Sequence, residues 1–171
     1  MARLSQGVEW AVHACTLLAA AGDTHGLSLA ALAEFHGVPA PYMAKQMQLL
    51  SKAGLVRTSR GKTGGYALAR PAQAITLWDV TRALGGGEPL FRCSEIRQQG
   101  PCALKRGDCK LPCPIAAAFA GAEAAWRGAL QAVTIADIAQ AVGRDSTPEH
   151  IMDSLGWLGR NLTELPGGRT I

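Results

Sequence analysis

Between Glu34 and Asp79 the chain carries no acidic residue, a gap of 44 positions in a sequence of 171. That absence makes the window locally cationic, since it also holds Lys45, Lys52, Arg57, Arg60, Lys62 and Arg70. Aromatic residues are scarce, with three Phe, two Tyr and four Trp, so an aliphatic core is expected. No apolar run is long enough to cross a bilayer. The run from Trp10 to Gly22 follows Glu9, contains His13, has little basic prelude and lacks a cleavage site, which argues against a signal peptide. A soluble cytoplasmic protein is therefore expected, and in that compartment thiols usually stay reduced. No internal repeat and no substrate-site constellation is visible, so the sequence offers nothing for an enzyme. Finally, no two cysteines are separated by the two residues of a zinc ribbon.

What is present is a globular composition, 48% hydrophobic, with a net charge of +4 and a pI near 9.0. Val8, Ala11, Val12, Cys15, Leu18 and Ala19 recur at helical spacing and predict a first helix over residues 3–21. Cys15 and His13 are expected to be packed. Ser28 can cap a short second helix ending at Gly37, and Pro41 suits the first turn of a third that stops at Gly54. LVRTS and GYALAR read as two short strands joined by the tip RGKTG. Thr76 and Asp79 cap TLWDVTRAL, an alanine-rich helix follows Cys113-Pro114 to about residue 131, and Thr134 starts another.

Helix, short helix, turn, helix and hairpin is the order of a winged helix-turn-helix. The expected class is mainly α with a small β-hairpin: a winged helix-turn-helix (residues 1–84), a cysteine loop (85–113), dimerisation helices (114–143) and a tail (144–171). The sequence does not say whether that tail docks. On the third helix Met43, Met47 and Leu50 form an inward stripe, leaving Tyr42, Lys45, Gln48 and Lys52 outward. Lys can reach guanine acceptors or phosphate, and Gln can pair with adenine. Arg57, with Arg60 and Lys62 at the glycine-rich tip, suits a wing on the backbone or minor groove. Double-stranded DNA is the expected partner, read as a near-palindrome by a homodimer. Phe119 and Trp126 make the long helix the natural dimer element.

Four of the five cysteines lie between residues 93 and 113, at Cys93, Cys102, Cys109 and Cys113, with gaps of 8, 6 and 3 residues. Cys113 precedes a helix, whose N-terminal N–H groups favour a thiolate suited to iron, zinc or redox chemistry. Arg92, Arg97, Lys105, Arg106 and Lys110 surround the loop.

GVEWAVHA, YMAKQMQLLSKAGLV, RGKTGGYALARP, ITLWDVTRAL, the cysteine loop and CPIA followed by AEAAWR together resemble the winged-helix iron–sulfur regulators typified by IscR, NsrR and RsrR. The similarity covers Leu4 to about Val142 and is greatest to the redox-sensing RsrR branch. It implies a homodimeric transcription regulator whose [2Fe–2S] cluster senses redox state, oxygen, nitric oxide or iron supply. Carried over by position, Cys93 and Cys113 become thiolate ligands, with Glu9 and His36 supplied by the partner subunit. Such a mixed shell generally raises the reduction potential. Cys102 and Cys109 are alternates, because many members of the family have three loop cysteines. Trp10, beside Glu9, is the candidate transmitter to the reading head. The alternative is a winged-helix regulator with a zinc site or thiol–disulfide switch in the loop.

Overall fold

A computed structural model describes residues 4–59, 64–85 and 87–165. Helix α1 (Gln6–Ala21) is the central element, with one face buried through Val8, Ala11, Ala14, Cys15, Leu17 and Leu18. Helix α2 (Leu29–Phe35) starts at Ser28, whose Oγ accepts from the Ala31 amide, and ends at His36 because Gly37 takes a left-handed φ of 62°. Helix α3 (Ala40–Lys52) begins with Pro41 in its first turn and is likewise terminated by a left-handed glycine, Gly54. Helix α4 (Leu77–Ala83) opens with a reciprocal Thr76–Asp79 capping box.

After the loop come α5 (Pro114–Gln131), α6 (Ile135–Asp145) and α7 (Pro148–Asn161). Thr134 repeats the capping-box chemistry with Asp137, and Thr147 caps α7. The starts of α4 and α6 are clasped by two backbone bonds, Leu77 N to Val133 O at 2.9 Å and Ile135 N to Ile75 O at 2.8 Å. This clasp lays α6 against α1, and Ile135 and Leu158 enter the same core as Leu18, Met47 and Val80.

The expected hairpin is present as β2 and β3, part of a four-stranded sheet. Strand β1 (His25–Leu27) arises in a segment that reads as a helix break, and β4 (Leu162–Glu164) arises in the tail. With β2 (Val56–Thr58) and β3 (Tyr66–Leu68), the order is β2-β3-β1-β4, antiparallel throughout. Three-residue strands carry too little alternation to be found from pattern. The two central strands approach so closely that a Cβ on Gly26 would lie 2.7 Å from the Tyr66 carbonyl oxygen, and one on Gly65 2.9 Å from that of Leu27. No helix among the described residues is long and apolar enough to cross a membrane.

Candidate nucleic-acid interface and thiol loop

Helix α3 divides as its sequence dictates. Met43, Met47 and Leu50 are wholly buried, which fixes the rotation of the helix and turns Tyr42, Lys45, Gln48 and Lys52 to solvent. A groove of about 740 Å³ separates α3 from the hairpin and is lined by Lys45, Gln48 and Lys52 on one wall and Thr58 and Tyr66 on the other. A cationic groove between a helix and a β-hairpin can accept a phosphate backbone while side chains of the helix reach base edges. Arg57 is held differently from the other cations. Its Nη2 donates to the Asp23 carbonyl at 2.6 Å and its Nε to the Leu68 carbonyl at 3.3 Å, tying β2 to the turn before β1. Arg60 and Lys62 lie outside the described residues.

Behind the reading helix, α1 touches α3 at two points. Gly7 abuts the buried Gln46, whose Oε1 would sit 2.6 Å from a Cβ there, and Gln46 Nε2 donates to the Tyr42 carbonyl at 3.1 Å. One turn on, Trp10 meets Tyr42 edge-on, with ring centroids 5.8 Å apart. Sequence reasoning placed neither Gln46 nor the Trp10–Tyr42 contact. The i to i+3 relation of residues 7 and 10 on α1, facing 42 and 46 on α3, is the signal that could have found both.

The cysteine loop is strapped to α5. Leu90 N donates to Glu123 at 3.1 Å, and Phe91 stacks on Phe119 with centroids 4.5 Å apart and planes 11° from parallel. Arg127 pairs with Glu123 at 2.9 Å and lies over the ring of Trp78, 4.8 Å from its centroid, which anchors the strap to α4. All five cysteines are free thiols. Cys113 is buried at the N-cap of α5 and its thiol is held below the ordinary value of 9.0, first by the Ala116 amide and further by the Ile115 amide, Arg97 and the nearby Cys93. The Cys93 sulfur accepts from the Glu95 amide at 3.4 Å. Glu95 holds a left-handed φ of 53°, a conformation that costs of order 1–3 kcal/mol for a residue with a side chain. Its carboxylate is gripped by Arg97, which also donates to the Leu111 carbonyl at 3.2 Å. Cys102 is exposed, and Cys109 is half-buried near Arg97. Cys15 is sealed in the core and its thiol is pushed up to about 12 by burial.

Glu9 and His36 stand away from this loop in sequence and on other elements. Glu9 is exposed on α1. His13, expected to be packed, is exposed instead, because it falls on the face of α1 opposite the core stripe. Its ring lies 5.5 Å from that of His36. Burial and the adjacent His13 hold the His36 imidazole below its ordinary value of 6.5. His36 Nε2 is buried with no hydrogen-bond partner, an unusual cost for a side-chain nitrogen that can donate or accept. Among the described residues no three His, Cys, Asp or Glu side chains of one chain converge as a metal site.

A buried-stripe helix offering a cationic face, a hairpin beside it, and a thiol loop feeding an unburied helix define a winged-helix transcription regulator. The chain belongs to the Rrf2 family, whose profile, described as "Iron-dependent Transcriptional regulator", matches residues 4–141. It is 35% identical over 141 residues to the protein aau3 of Rhizobium meliloti, covering 81% of this chain and 86% of that one. It is 32% identical over 152 residues to an HTH-type transcriptional regulator of Mycobacterium tuberculosis, covering 87% and 86%. Among solved structures, T. potens IscR matches with a TM-score of 0.63 at 24% identity, over 88% of this chain and 96% of that one. CymR, the global cysteine regulator of B. subtilis, matches with a TM-score of 0.63 at 23% identity, over 82% of this chain and 98% of that one. These two likenesses establish the fold. The protein is thus a DNA-binding transcription regulator and not an enzyme.

Proposed function

We propose that the protein is a homodimeric regulator that reads a near-palindromic operator and senses redox state through a [2Fe–2S] cluster. Cys93 and Cys113 of one protomer would hold the cluster together with Glu9 of the partner subunit and His36 of the partner subunit. The observation that carries this reading is the free thiol of Cys113 at the start of α5, biased towards thiolate by helix amides, with the free thiol of Cys93 near it. The unpartnered Nε2 of His36 is a second donor whose burial lacks another explanation. When bound, the cluster supplies a one-electron change of charge without a change of ligands. The Cys113 amide cradle stabilises a thiolate, the Glu95 amide orients Cys93, and Arg97 offsets negative charge at Cys113 and Cys109.

Helix α5 supports the dimer. It is 18 residues long, none of them buried, with Ile115 and Phe119 both more than half exposed. An amphipathic helix left uncovered in one chain is suited to pairing with its copy. On DNA, Lys45 and Lys52 would contact phosphate, and Gln48 would reach a base edge.

The test is anaerobic purification with iron, sulfide and zinc analysis and a visible spectrum, followed by duplex binding in oxidised, reduced and iron-free forms. Two irons and two sulfides per protomer, lost in both Cys93→Ser and Cys113→Ser, are expected. Zinc without iron, or a colourless protein that cannot be reconstituted with iron and sulfide, overturns the cluster.

A further inference from the structure

The family match ends at residue 141, yet the chain continues into α7 and β4, and both are built into the reading head. We infer that the segment from Pro148 to Leu165 is the coupling element joining His36 to the wing, with Trp157 positioning the His36 ring. This rests on the reading of His36 as a cluster ligand.

At the upper end, the His36 ring lies against those of His13 and Phe35. Phe35 meets it edge-on at 5.0 Å, and Trp157 of α7 packs against Phe35 in turn, at 4.8 Å and tilted by 58°. Because Nε2 has no hydrogen-bond partner, packing rather than hydrogen bonding at that nitrogen sets how the imidazole is presented. The His36–Phe35–Trp157 ladder is therefore a mechanical path into α7. That helix is anchored in the core by Leu158, which is buried.

At the lower end there is no slack. Helix α7 closes at Asn161 and β4 starts at Leu162, with no loop between them. Strand β4 then pairs with β1, Leu162 opposite Leu27 and Glu164 opposite His25. Thr163 Oγ1 donates to the Gly26 carbonyl at 3.1 Å, and Leu165 N donates to the Thr24 carbonyl at 3.1 Å. Thr163 also comes close to the base of the wing, since its Oγ1 would be 2.9 Å from a Cβ at Gly65, just before β3. A rotation of α7 is thus delivered through β4 and β1 to the strands that carry the wing tip. A contiguous chain of packed and hydrogen-bonded residues is one route by which energetic coupling passes between sites.

Two variants separate the ends of this path. The readouts are iron content, visible circular dichroism of the cluster, and affinity for a duplex selected from a random library by the wild-type protein, in both redox states. Coupling of this kind is commonly worth ~5- to 150-fold in affinity. Trp157→Ala is expected to keep iron, change the dichroism and bring the two affinities to within about twofold of each other. Trp157→Phe, which retains a ring against Phe35, is expected to restore both. Thr163→Val is expected to leave the dichroism as in the wild type and still reduce the affinity ratio. Wild-type levels of both dichroism and ratio in Trp157→Ala and Thr163→Val, with only a lowered melting temperature, overturn the coupling while leaving the cluster reading intact. A wild-type protein without iron overturns the cluster reading and this inference with it.

Discussion

Trp10 follows Glu9 in sequence and touches Tyr42 in space, so one side chain borders both a candidate ligand and the reading helix. Edge-to-face pairs of this kind contribute about 0.5–1.5 kcal/mol beyond the area they bury. Trp10→Ala is expected to weaken the redox dependence of DNA binding while the visible spectrum stays unchanged, measured by titrating one duplex in both states. Unchanged redox dependence removes Trp10 from the path. His36 makes a second prediction, for the iron-free protein. Its folded value is depressed, so between that value and the ordinary 6.5 the unfolded chain binds more protons than the folded one. The stability from keeping the ring neutral is complete above 6.5 and is lost as pH falls through the depressed value. Urea midpoints should therefore drop on acidification from neutral pH to about pH 5, and less steeply in His36→Gln. Equal slopes would show that the burial of His36 does not control this pH response.

Among the elements, α3 and the hairpin were the most legible, for a physical reason. Met43, Met47 and Leu50 repeat at helical spacing, and capping residues with turn glycines mark where each helix stops. Strands β1 and β4 were not legible, because three residues give no period and their pairing spans most of the chain. The thiol loop was partly legible: Cys113 before Pro114 announces a helix N-terminus, but only the fold brings Cys93 near it. The cationic face of α3 predicts a salt signature. Lys45→Ala and Lys52→Ala should each reduce the slope of log affinity against log salt by about 1, at similar cost on every duplex. Gln48→Ala should cost about 1–3 kcal/mol on the selected duplex and relax preference at one base pair. The opposite pattern, uniform loss in Gln48→Ala, would place that side chain on the backbone. Within the sheet, Gly65→Ala drives a methyl towards the Leu27 carbonyl and Thr163, so a lowered melting temperature is expected from calorimetry.

For the whole molecule, the proposed pairing through the unburied α5 makes a prediction about assembly. Phe119→Glu places a charge in the middle of that surface and is expected to yield monomers by sedimentation, with operator affinity falling by orders of magnitude because two half-sites no longer bind together. A variant that remains dimeric would move the interface elsewhere. The sequence pointed to α5 as the pairing element, whereas the attachment of the tail lay beyond it, since docking depends on partners more than a hundred residues away.

The pairing of β1 with β4 also bears on how the protein is made. Strand β1 is synthesised early, but its outer neighbour is among the last residues described, so a ribosome-bound chain has the reading helix long before it has the complete sheet. A message broken or a chain clipped before residue 162 would yield fragments with α3 intact and the wing unbuttressed. Such fragments are expected to bind operator DNA more weakly than the chain that carries β4.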